Sequence, residues 1–248
     1  MTGAGWWDEA FRSAYLEVYR HRDDSQAAAE VAGLLPRLRQ APGIVVDAGC
    51  GGGRHLAALR AGGLPAVGFD LSADLLTVAH NRPACVGRLV RADLRAPPLA
   101  GECGSVLCLF TAFGYFDDQG NVDCLRALAG LVAPGGWVVL DLPDPAALRR
   151  TLVPQSERRT AGGWLVREQR RLVGHRVEKT VEATPPDAPV QSWSESVRLY
   201  TVDELTLVAY QAGLLIDAWW PGLAGPSDDK QRLVMWLRQS TQVTHSPR

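Results

Sequence analysis

Residues 44–55 read Ile44-Val45-Val46-Asp47-Ala48-Gly49-Cys50-Gly51-Gly52-Gly53-Arg54-His55, and this stretch decides the fold. Its first three residues form an apolar, β-branched run that is typical of a strand buried on both faces. Four glycines follow within five positions, and glycines at this density let the backbone turn sharply and approach a ligand closely. A helix is expected from Arg54 to Arg60. Strand, loop and helix together predict a nucleotide-type site at the helix N-terminus.

The spacing of these glycines separates two classes of cofactor. The dinucleotide fingerprint G-x-G-x-x-G would need its third glycine at Arg54 or at Leu56, so that pattern fails. Asp47–Gly53 instead reads D-x-G-x-G-x-G, which resembles motif I of the class I S-adenosylmethionine-dependent methyltransferases. The resemblance implies S-adenosylmethionine as cofactor, with contacts from Asp47, Gly49, Cys50, Gly51 and Gly53. For Cys50, a small residue that faces the sheet is favoured over a nucleophile.

An acidic residue ends the next predicted strand, Pro65–Phe69. Asp70 lies 21 positions after Gly49, which is about where an acid accepts the two hydroxyls of a ribose. The alternative role is a helix N-cap, for which Ser72 competes. With Asp70, the adjoining Leu71 is assigned to the cofactor site.

A third acid follows the apolar run around Val86 to Val90. In the resembled family, an acid at this place binds the adenine amino group, and the backbone of the next residue meets the ring. Asp93 and Leu94 would take these roles. Acids at the ends of three successive predicted strands indicate this cofactor site more specifically than any one of them does alone.

The loop after the fourth predicted strand, Ser105–Phe110, is rich in aromatic residues. Thr111-Ala112-Phe113-Gly114-Tyr115-Phe116 resembles the S-F-G-Y-F loop of a group of small bacterial methyltransferases, with Ala112 where serine is usual. The loop lies at the carboxyl end of a strand, where open α/β sheets bind ligands. Phe110 and Phe113 are assigned to the cofactor, because aromatic faces attract a sulfonium cation. Core packing of Phe113 and Phe116 is the alternative.

Strands and helices alternate from residue 44 to 142, which indicates parallel β-α-β units. The run Pro134-Gly135-Gly136 before a strand and Asp141 again resembles the superfamily. Asp141 would face the substrate or, as the favoured interpretation, lie exposed in a loop. Two late strands, Leu214–Trp220 and Arg232–Arg238, resemble the antiparallel hairpin that ends the class I fold. We therefore expect an α/β, doubly wound, seven-stranded, mostly parallel sheet with N-terminal helices and an inserted antiparallel β extension.

Three segments follow from this interpretation. Residues 1–43 form an N-terminal helical cap, with one helix over residues 6–20 and another over Ser25–Leu38. Residues 44–150 and 201–240 form the S-adenosylmethionine-binding methyltransferase domain, and Ser240–Arg248 is a polar tail expected to fray. In the cap, one interpretation is that Tyr15 and Tyr19 only pack against neighbouring residues. The alternative is that they belong to a lid, from which Tyr19 or Arg22 reaches the methionine carboxylate of the cofactor.

The third segment, residues 151–200, breaks the β-α rhythm. A hairpin turn at Gly174-His175 joins two strand-like runs, Trp164–Val173 and Arg176–Glu182, and a third strand covers Ser192–Tyr200. Between Glu157 and Glu182 there are seven basic residues against four glutamates, a net charge of +3. This charge fits an acidic substrate or RNA, although a solvated sheet surface is favoured. The free strand edges suggest a homodimer as an alternative to a monomer.

Composition narrows the classes of function. The chain has 248 residues, 46% of them hydrophobic and 21% charged, with a net charge of −1. Near-zero net charge argues against a DNA-binding protein held by bulk electrostatics. No apolar run approaches the ~20 residues that span a bilayer, and the five cysteines lack C-x-x-C spacing, so neither a membrane partner nor a metal site is expected. Reduced, buried thiols indicate a cytoplasmic protein.

The function expected from these residues is methyl transfer to a small-molecule acceptor. An activated donor requires mainly that donor and acceptor be held in line. A hydroxyl acceptor would also need to lose a proton, and His55, Tyr115 and Asp117 are the nearest candidates by sequence. Two alternatives stay open: an RNA or protein methyltransferase that uses the basic extension, and a protein that binds the cofactor without turnover.

Overall fold

A computed structural model describes residues 5–99, 101–226 and 231–239 of the chain. The predicted polar tail Ser240–Arg248 lies outside these residues. The helices are α1 (Trp7–Ala10), α2 (Ser13–Val18), α3 (Asp24–Leu38), α4 (Arg54–Ala61), α5 (Ala73–His80), α6 (Asp118–Ala129), α7 (Pro145–Thr151) and α8 (Val202–Gln211). The strands are β1 (Val45–Ala48), β2 (Ala66–Asp70), β3 (Leu89–Arg91), β4 (Cys103–Cys108), β5 (Val132–Pro143), β6 (Gln155–Arg159), β7 (Leu165–Val173), β8 (Arg176–Thr184), β9 (Gln191–Arg198), β10 (Leu214–Trp220) and β11 (Arg232–Gln239).

The larger sheet has seven strands within the described residues, in the order β10-β11-β5-β4-β1-β2-β3. The pairs from β5 through β4, β1 and β2 to β3 are parallel. Strand β11 runs antiparallel to both β5 and β10. This order confirms the predicted doubly wound class I architecture. It also brings the carboxyl ends of β1, β2 and β4 to one edge, where ligands bind in such sheets.

Helices cover both faces of this sheet because its central strands are apolar on both sides. All four residues of β1 and all six of β4 are buried. Helices α6 and α8 pack on one face, through residues such as Leu125 and Leu205. Helices α3 and α4 pack on the other, through residues such as Leu34 and Leu56. Strand β1 is thereby held on both sides, which fixes the start of the glycine loop.

The smaller sheet is antiparallel, with the order β6-β7-β8-β9. It confirms the predicted extension and its hairpin, in which Val173 pairs with Arg176 across the turn. Strand β6 was not predicted, because its sequence Gln-Ser-Glu-Arg-Arg lacks an apolar face, and only pairing with β7 makes it a strand.

The predicted helix over residues 6–20 is divided into α1 and α2 at Phe11 and Arg12. The buried faces of these two short helices, Ala10, Ala14 and Val18, pack on Val181 and Trp193 of the smaller sheet. We call residues 7–18 the lid segment. It joins the extension to the main sheet, because it also contacts α5.

Asp141 was expected in an exposed loop, and that expectation is wrong. The structure continues β5 to Pro143, and the Asp141 side chain is fully buried, with 0% exposure. Among the described helices, none is long and apolar enough to cross a membrane.

Candidate functional site

The glycine loop adopts the backbone that its sequence predicts. Gly49, Gly51 and Gly53 have φ values of +74°, +50° and +75°, which side-chain-bearing residues rarely adopt. The amides of Gly49 and Cys50 donate to the carbonyl oxygen of Phe69, at 2.9 and 3.0 Å. The loop is therefore pinned to the neighbouring strand, and α4 begins directly after Gly53.

Asp70 closes the loop from the next strand. Its Oδ2 accepts from the Gly51 amide and its Oδ1 from the Ser72 amide, both at 2.8 Å. Ser72 takes the N-cap of α5, so Asp70 is free of that role. Burial raises the pKa of Asp70, and the amide hydrogen bonds oppose this shift. Each carboxylate oxygen keeps a lone pair for a further hydrogen bond.

Beside Asp70 lies a narrow pocket with aromatic walls, which we call the aromatic pocket. Its lining includes Trp7 and Phe11 of the lid segment, together with the predicted cofactor residues Gly49, Asp70, Leu71, Asp93 and Leu94. Arg95 holds both oxygens of Asp93, at 3.0 and 2.6 Å. Although burial raises the pKa of Asp93, these bonds leave it below the usual value. Asp93 is thus ionised and already partnered.

A larger cavity of about 790 Å³, the glycine-loop cavity, continues along the loop toward α3. Among the residues that line it are seven of the predicted cofactor residues, namely Tyr19, Arg22, Asp47, Gly49, Cys50, Gly51 and Phe110. Asp47 is only 2% exposed, and its Oδ2 has no hydrogen-bond partner among the described residues. Burial, reinforced by the charge of Asp70, raises the pKa of Asp47 to about 6.

Two guanidinium groups stack on Phe110 in the same cavity. Arg22 lies 3.9 Å and Arg54 lies 5.0 Å from the ring centroid. The Nε of Arg22 and both terminal nitrogens of Arg54 are buried without a hydrogen bond in the described part of the chain, although Arg54 faces Glu30 at 3.7 Å. Burial lowers the pKa of Arg22, as do the charges of Arg232 and Arg54. Arg22 therefore has no carboxylate partner among the described residues, and Arg54 has only the long contact with Glu30.

The lid segment closes over these spaces and is fastened at both ends. Toward α5, the Ser72 hydroxyl donates to the Phe11 carbonyl at 2.5 Å. Toward the extension, Glu17 accepts from the Thr160 hydroxyl at 2.5 Å and from the Gly162 amide at 3.2 Å. The lid segment is therefore held beside the glycine loop, where Gly49, Gly51 and Gly52 stay partly exposed.

A second cavity of about 260 Å³, the tyrosine cavity, lies between the lid segment, the end of β4 and the extension. Tyr15, Tyr19 and Tyr115 line it, and burial raises the pKa of each phenol well above the usual value near 10.0. These phenols stay protonated at neutral pH and donate hydrogen bonds instead of accepting protons.

The charges that line the tyrosine cavity are unbalanced. Its described lining has four cationic side chains against the single carboxylate of Glu195. The cations are Arg22, Arg170, Lys179 and Arg232. Glu195 is itself occupied, since Lys179 lies 3.1 Å away and the Trp193 indole donates to it at 3.0 Å. Arg170 and Arg232 are likewise paired, with Glu168 and Asp141, so Arg22 is the lining cation that has no carboxylate partner among the described residues.

An open groove of about 510 Å³, the extension groove, continues from the tyrosine cavity across the smaller sheet. The two spaces share four lining residues, Trp6, Arg170, Lys179 and Glu195. The groove adds Arg171 and the hydroxyls of Thr180, Ser194 and Ser196. It thus offers one ligand an aromatic face, small polar groups and cations, of which Arg171 pairs with Glu178 and Lys179 with Glu195.

Some of the predicted site residues lie apart from these spaces. Phe113 is buried in the core, where its ring lies 5.9 Å from that of Tyr200. Gly53 supports α4 without lining either cofactor space. Cys50 lines the glycine-loop cavity, and its side chain also packs against Gly68. For Phe113, the core alternative describes its position.

Two of the three candidate bases, His55 and Tyr115, line the glycine-loop cavity, and Asp117 lies apart from it. His55 lies in the glycine-loop cavity, with its Nε2 2.7 Å from Glu30. Asp117 is exposed and caps α6 by accepting from the Gly120 amide at 2.7 Å. Tyr115 alone of the three lines the tyrosine cavity. Their catalytic roles stay predictions.

Sequence reasoning missed several residues that line these spaces. Arg54 follows the glycine loop directly, so its position was a usable signal for an anion-binding role. Thr111 begins the aromatic loop that the sequence already indicates as a ligand-binding loop. Glu195 and Arg232 come from distant parts of the chain, and no local pattern distinguishes them from surface residues.

Comparison with known proteins gives a consistent family. A family model described as a methyltransferase domain matches residues 45–136. The chain is 30% identical over 217 residues to the dTDP-3-amino-3,6-dideoxy-alpha-D-glucopyranose N,N-dimethyltransferase of Streptomyces fradiae, which covers 83% of this chain and 82% of that protein.

Two solved structures share the fold. A S-adenosylmethionine-dependent methyltransferase from Clostridium acetobutylicum superposes with a TM-score of 0.77 at 14% identity, covering 91% of this chain and 96% of that one. An amino pentose methyltransferase from Micromonospora echinaspora, involved in calicheamicin biosynthesis and solved with S-adenosylmethionine bound, gives 0.68 at 24% identity. It covers 92% of this chain and 97% of its own.

Proposed function

We propose that this chain, which belongs to the class I S-adenosylmethionine-dependent methyltransferases, methylates the amine of a nucleotide-linked amino sugar. The family establishes the enzyme class and the donor, S-adenosylmethionine. The alternatives of an RNA or protein methyltransferase and of a protein without turnover are not favoured by these similarities. The acceptor is the proposed part.

The glycine-loop cavity fits the donor's charges. A buried carboxylate without a full set of partners, Asp47, suits the donor's cationic groups, and the unpartnered nitrogens of Arg22 and Arg54 suit its carboxylate. Asp70 keeps lone pairs for the ribose hydroxyls, and the aromatic pocket suits a purine. When bound, the donor supplies a methyl group already activated by its positive sulfur.

The observation that carries the proposed acceptor is the absence of an available base among the described residues of the tyrosine cavity. Its phenols are protonated at neutral pH, and its one carboxylate is held by Lys179 and Trp193. A sugar hydroxyl must lose its proton to accept a methyl group, whereas a neutral amine attacks through its lone pair. The chemistry of this cavity therefore favours nitrogen over oxygen.

The guanidinium of Arg22, which has no carboxylate partner among the described residues, supports the same acceptor. Positive charge near an ammonium group disfavours its protonated form and lowers its pKa, so more of a bound amine is neutral. The tyrosine hydroxyls are placed to donate hydrogen bonds to the polar groups of a sugar, and Glu195 is placed to accept them. The cavity then works by orientation and exclusion of water, which suits an in-line transfer.

The extension groove supports a nucleotide attached to that sugar. Arg170 and Arg171 offer donors to phosphate oxygens, and the Trp6 ring offers a surface on which a base stacks. The similarity to an enzyme named for a dTDP-linked amino sugar agrees with this placement.

The acceptor class is tested with purified protein, S-adenosylmethionine and matched sugars. We expect transfer to a dTDP-linked aminodideoxyhexose at a kcat/KM at least about tenfold above that for the corresponding dTDP-linked hydroxy sugar, because only the hydroxyl needs a base. Mass spectrometry of the sugar and release of S-adenosylhomocysteine report the reaction. Preferred methylation of the hydroxy sugar, or of a phenol, would contradict the proposed acceptor.

The groove is tested with two arginines of β7. Arg171 lines the groove and pairs with Glu178, whereas Arg167 lies outside the groove lining and pairs with Glu157. We expect Arg171→Ala to raise the KM of the nucleotide-linked acceptor about fivefold by removing a phosphate contact, with kcat within about twofold. Arg167→Ala is the control and should leave both constants unchanged. Equal effects of the two variants would count against the groove.

Other parts of the interpretation belong with this proposal. We propose that residues 44–150 and 201–240 form the methyltransferase domain, residues 1–43 its helical cap and residues 151–200 an extension that walls the acceptor site. Pairing through an edge of the smaller sheet gives the proposed homodimer, with a monomer as the alternative, and the cytoplasm is the proposed location. Tyr115, rather than His55 or Asp117, is the candidate for direct contact with the acceptor.

A further inference from the structure

We infer that the buried pair Asp141–Arg232 is a positioning device that holds a strained turn between the donor site and the acceptor site. The turn consists of Phe110 and Thr111, directly after β4. Asp141 lies on β5 and Arg232 begins β11, so the three parts come from different regions of the chain.

The turn has an unfavourable backbone. Phe110 and Thr111 have φ values of +57° and +64°, and neither is glycine. A β-branched residue such as Thr111 is a genuine outlier there, because its side chain crowds the backbone. Two such residues in succession persist only where the surroundings hold them.

Four hydrogen bonds keep the turn in this conformation. The Phe110 amide donates to Oδ2 of Asp141 at 2.7 Å, and the Thr111 amide donates to the Asp141 carbonyl at 2.9 Å. Arg232 donates through Nη2 to the Thr111 hydroxyl at 2.9 Å, and its Nε donates to Oδ1 of Asp141. One carboxylate therefore fixes both the turn and the arginine that fixes the turn from its other side.

The position of the turn gives the pair its role. The guanidinium groups of Arg22 and Arg54, which line the glycine-loop cavity, stack on the Phe110 ring. Thr111 and Arg232 line the tyrosine cavity on the other side. A turn relaxed to negative φ would move the ring and the hydroxyl together, so both sites depend on one local conformation.

The sheet does not need this pair for its own hydrogen bonds. The ladder between β5 and β11 continues from Pro143 to Val138 through backbone pairing. A fully buried carboxylate is costly unless it is paired, and this one is paired mainly with groups of the turn and of Arg232. Its placement is therefore explained by the turn better than by the sheet.

The test is donor binding, measured by calorimetry with S-adenosylmethionine. Asparagine at position 141 cannot accept from Phe110 and also neutralise Arg232, so we expect Asp141→Asn to weaken binding about tenfold. Asp217→Asn is the control. Asp217 lies on β10 of the same sheet, outside the linings of these cavities, and pairs with Arg37 of α3 and Arg238 of β11. It should leave the affinity within about twofold even where thermal unfolding shows a similar loss of stability.

A second substitution separates positioning from general stability. Asparagine tolerates positive φ far better than threonine and keeps a side-chain oxygen for Arg232. Thr111→Asn, added to Asp141→Asn, is expected to recover at least about threefold of the lost affinity. Should Asp141→Asn not fold, Arg232→Lys, which keeps the charge and loses the two-pronged contact, is measured in its place with the same rescue.

Unchanged affinity in a folded Asp141→Asn or Arg232→Lys protein would overturn the inference, and so would a loss that Thr111→Asn does not recover. The acceptor side of the inference rests on the proposed function, but donor binding does not. Failure of the amino-sugar assay would therefore leave this test intact.

Discussion

Replacing Asp70 by alanine is expected to weaken S-adenosylmethionine binding ten- to hundredfold while the protein stays folded. Hydrogen bonds to a charged group contribute about 1.5–3 kcal/mol each, and this range sets the size of the loss. Asp70 accepts from the amides of Gly51 and Ser72 and retains lone pairs for a ribose. The variant would remove the proposed ribose contact together with the two amide contacts that hold the loop.

The fold should survive because Asp70 contributes little to the core. Burial raises its pKa, so the ionised group is held at a cost in the absence of donor. Strand β2 is held by its pairing with β1 and β3, and Ser72 caps α5 independently. We therefore expect the unfolding temperature without donor to change by only a few degrees.

Calorimetric titration measures the effect, with Asp123→Ala as the control. Asp123 is an exposed acid of α6 that pairs with Arg126, so its loss changes the net charge equally at a site away from the cavities. The control should bind the donor as the parent protein does. Parent-like affinity in a folded Asp70→Ala protein would remove the ribose role from Asp70.

Residues of the donor site that belong to one continuous unit were predictable. The glycine spacing and the acids after β1, β2 and β3 are local signals, because the carboxyl ends of parallel strands meet at one edge. The capping box of α8 is equally local, since Thr201 and Glu204, three positions apart, cap each other's backbone amides. Such features depend on a few neighbouring residues and on the order of the strands.

The acceptor side was not predictable in the same way. Glu195 and Lys179 approach the lid segment because the smaller sheet packs on it, whereas Arg232 reaches the same cavity from β11. The sequence predicts an exposed loop for Asp141 because it opens a turn-rich run, Asp141-Leu142-Pro143-Asp144-Pro145. Its burial depends on Arg232, which is 91 residues away. Pairwise contacts over such separations leave no periodic trace in a single sequence.

Asp47→Asn is expected to stabilise the protein without donor and to weaken donor binding. The pKa of Asp47 lies at about 6 instead of 3.8, so its ionised form costs the folded state at most about 3 kcal/mol at neutral pH. Asparagine removes the charge and keeps the shape, although its amide must also be accommodated. We expect a net gain of about 1–2 kcal/mol in the free energy of unfolding at pH 7.

Because the pKa of Asp47 is raised in the folded state, the direction in which stability changes with pH is fixed. Between the ordinary pKa of 3.8 and the folded value of about 6, the folded state binds more protons than the unfolded state, so stability falls as pH rises through this window. Below about pH 4 the aspartate is protonated in both states, and above about pH 6 the full cost is present. The advantage of Asp47→Asn should therefore grow from about pH 4 to about pH 6 and then level off.

The affinity for the donor should change with pH in the opposite direction to the stability. The donor's cationic groups favour ionised Asp47, so we expect the affinity of the parent protein to fall as pH drops below about 6. In Asp47→Asn the affinity at pH 7 should fall about tenfold or more, as expected when a buried charge partner is lost. What remains of its pH dependence reports Asp70, whose pKa is also raised.

Urea unfolding at several pH values, with and without S-adenosylmethionine, measures both effects on the same samples. Saturating donor should stabilise the parent protein more than the variant, because binding contributes stability in proportion to affinity. A variant that is less stable than the parent at pH 7 would show that Asp47 is needed by the fold itself. Equal donor affinity in the two proteins would show that the Asp47 charge does not act on the donor.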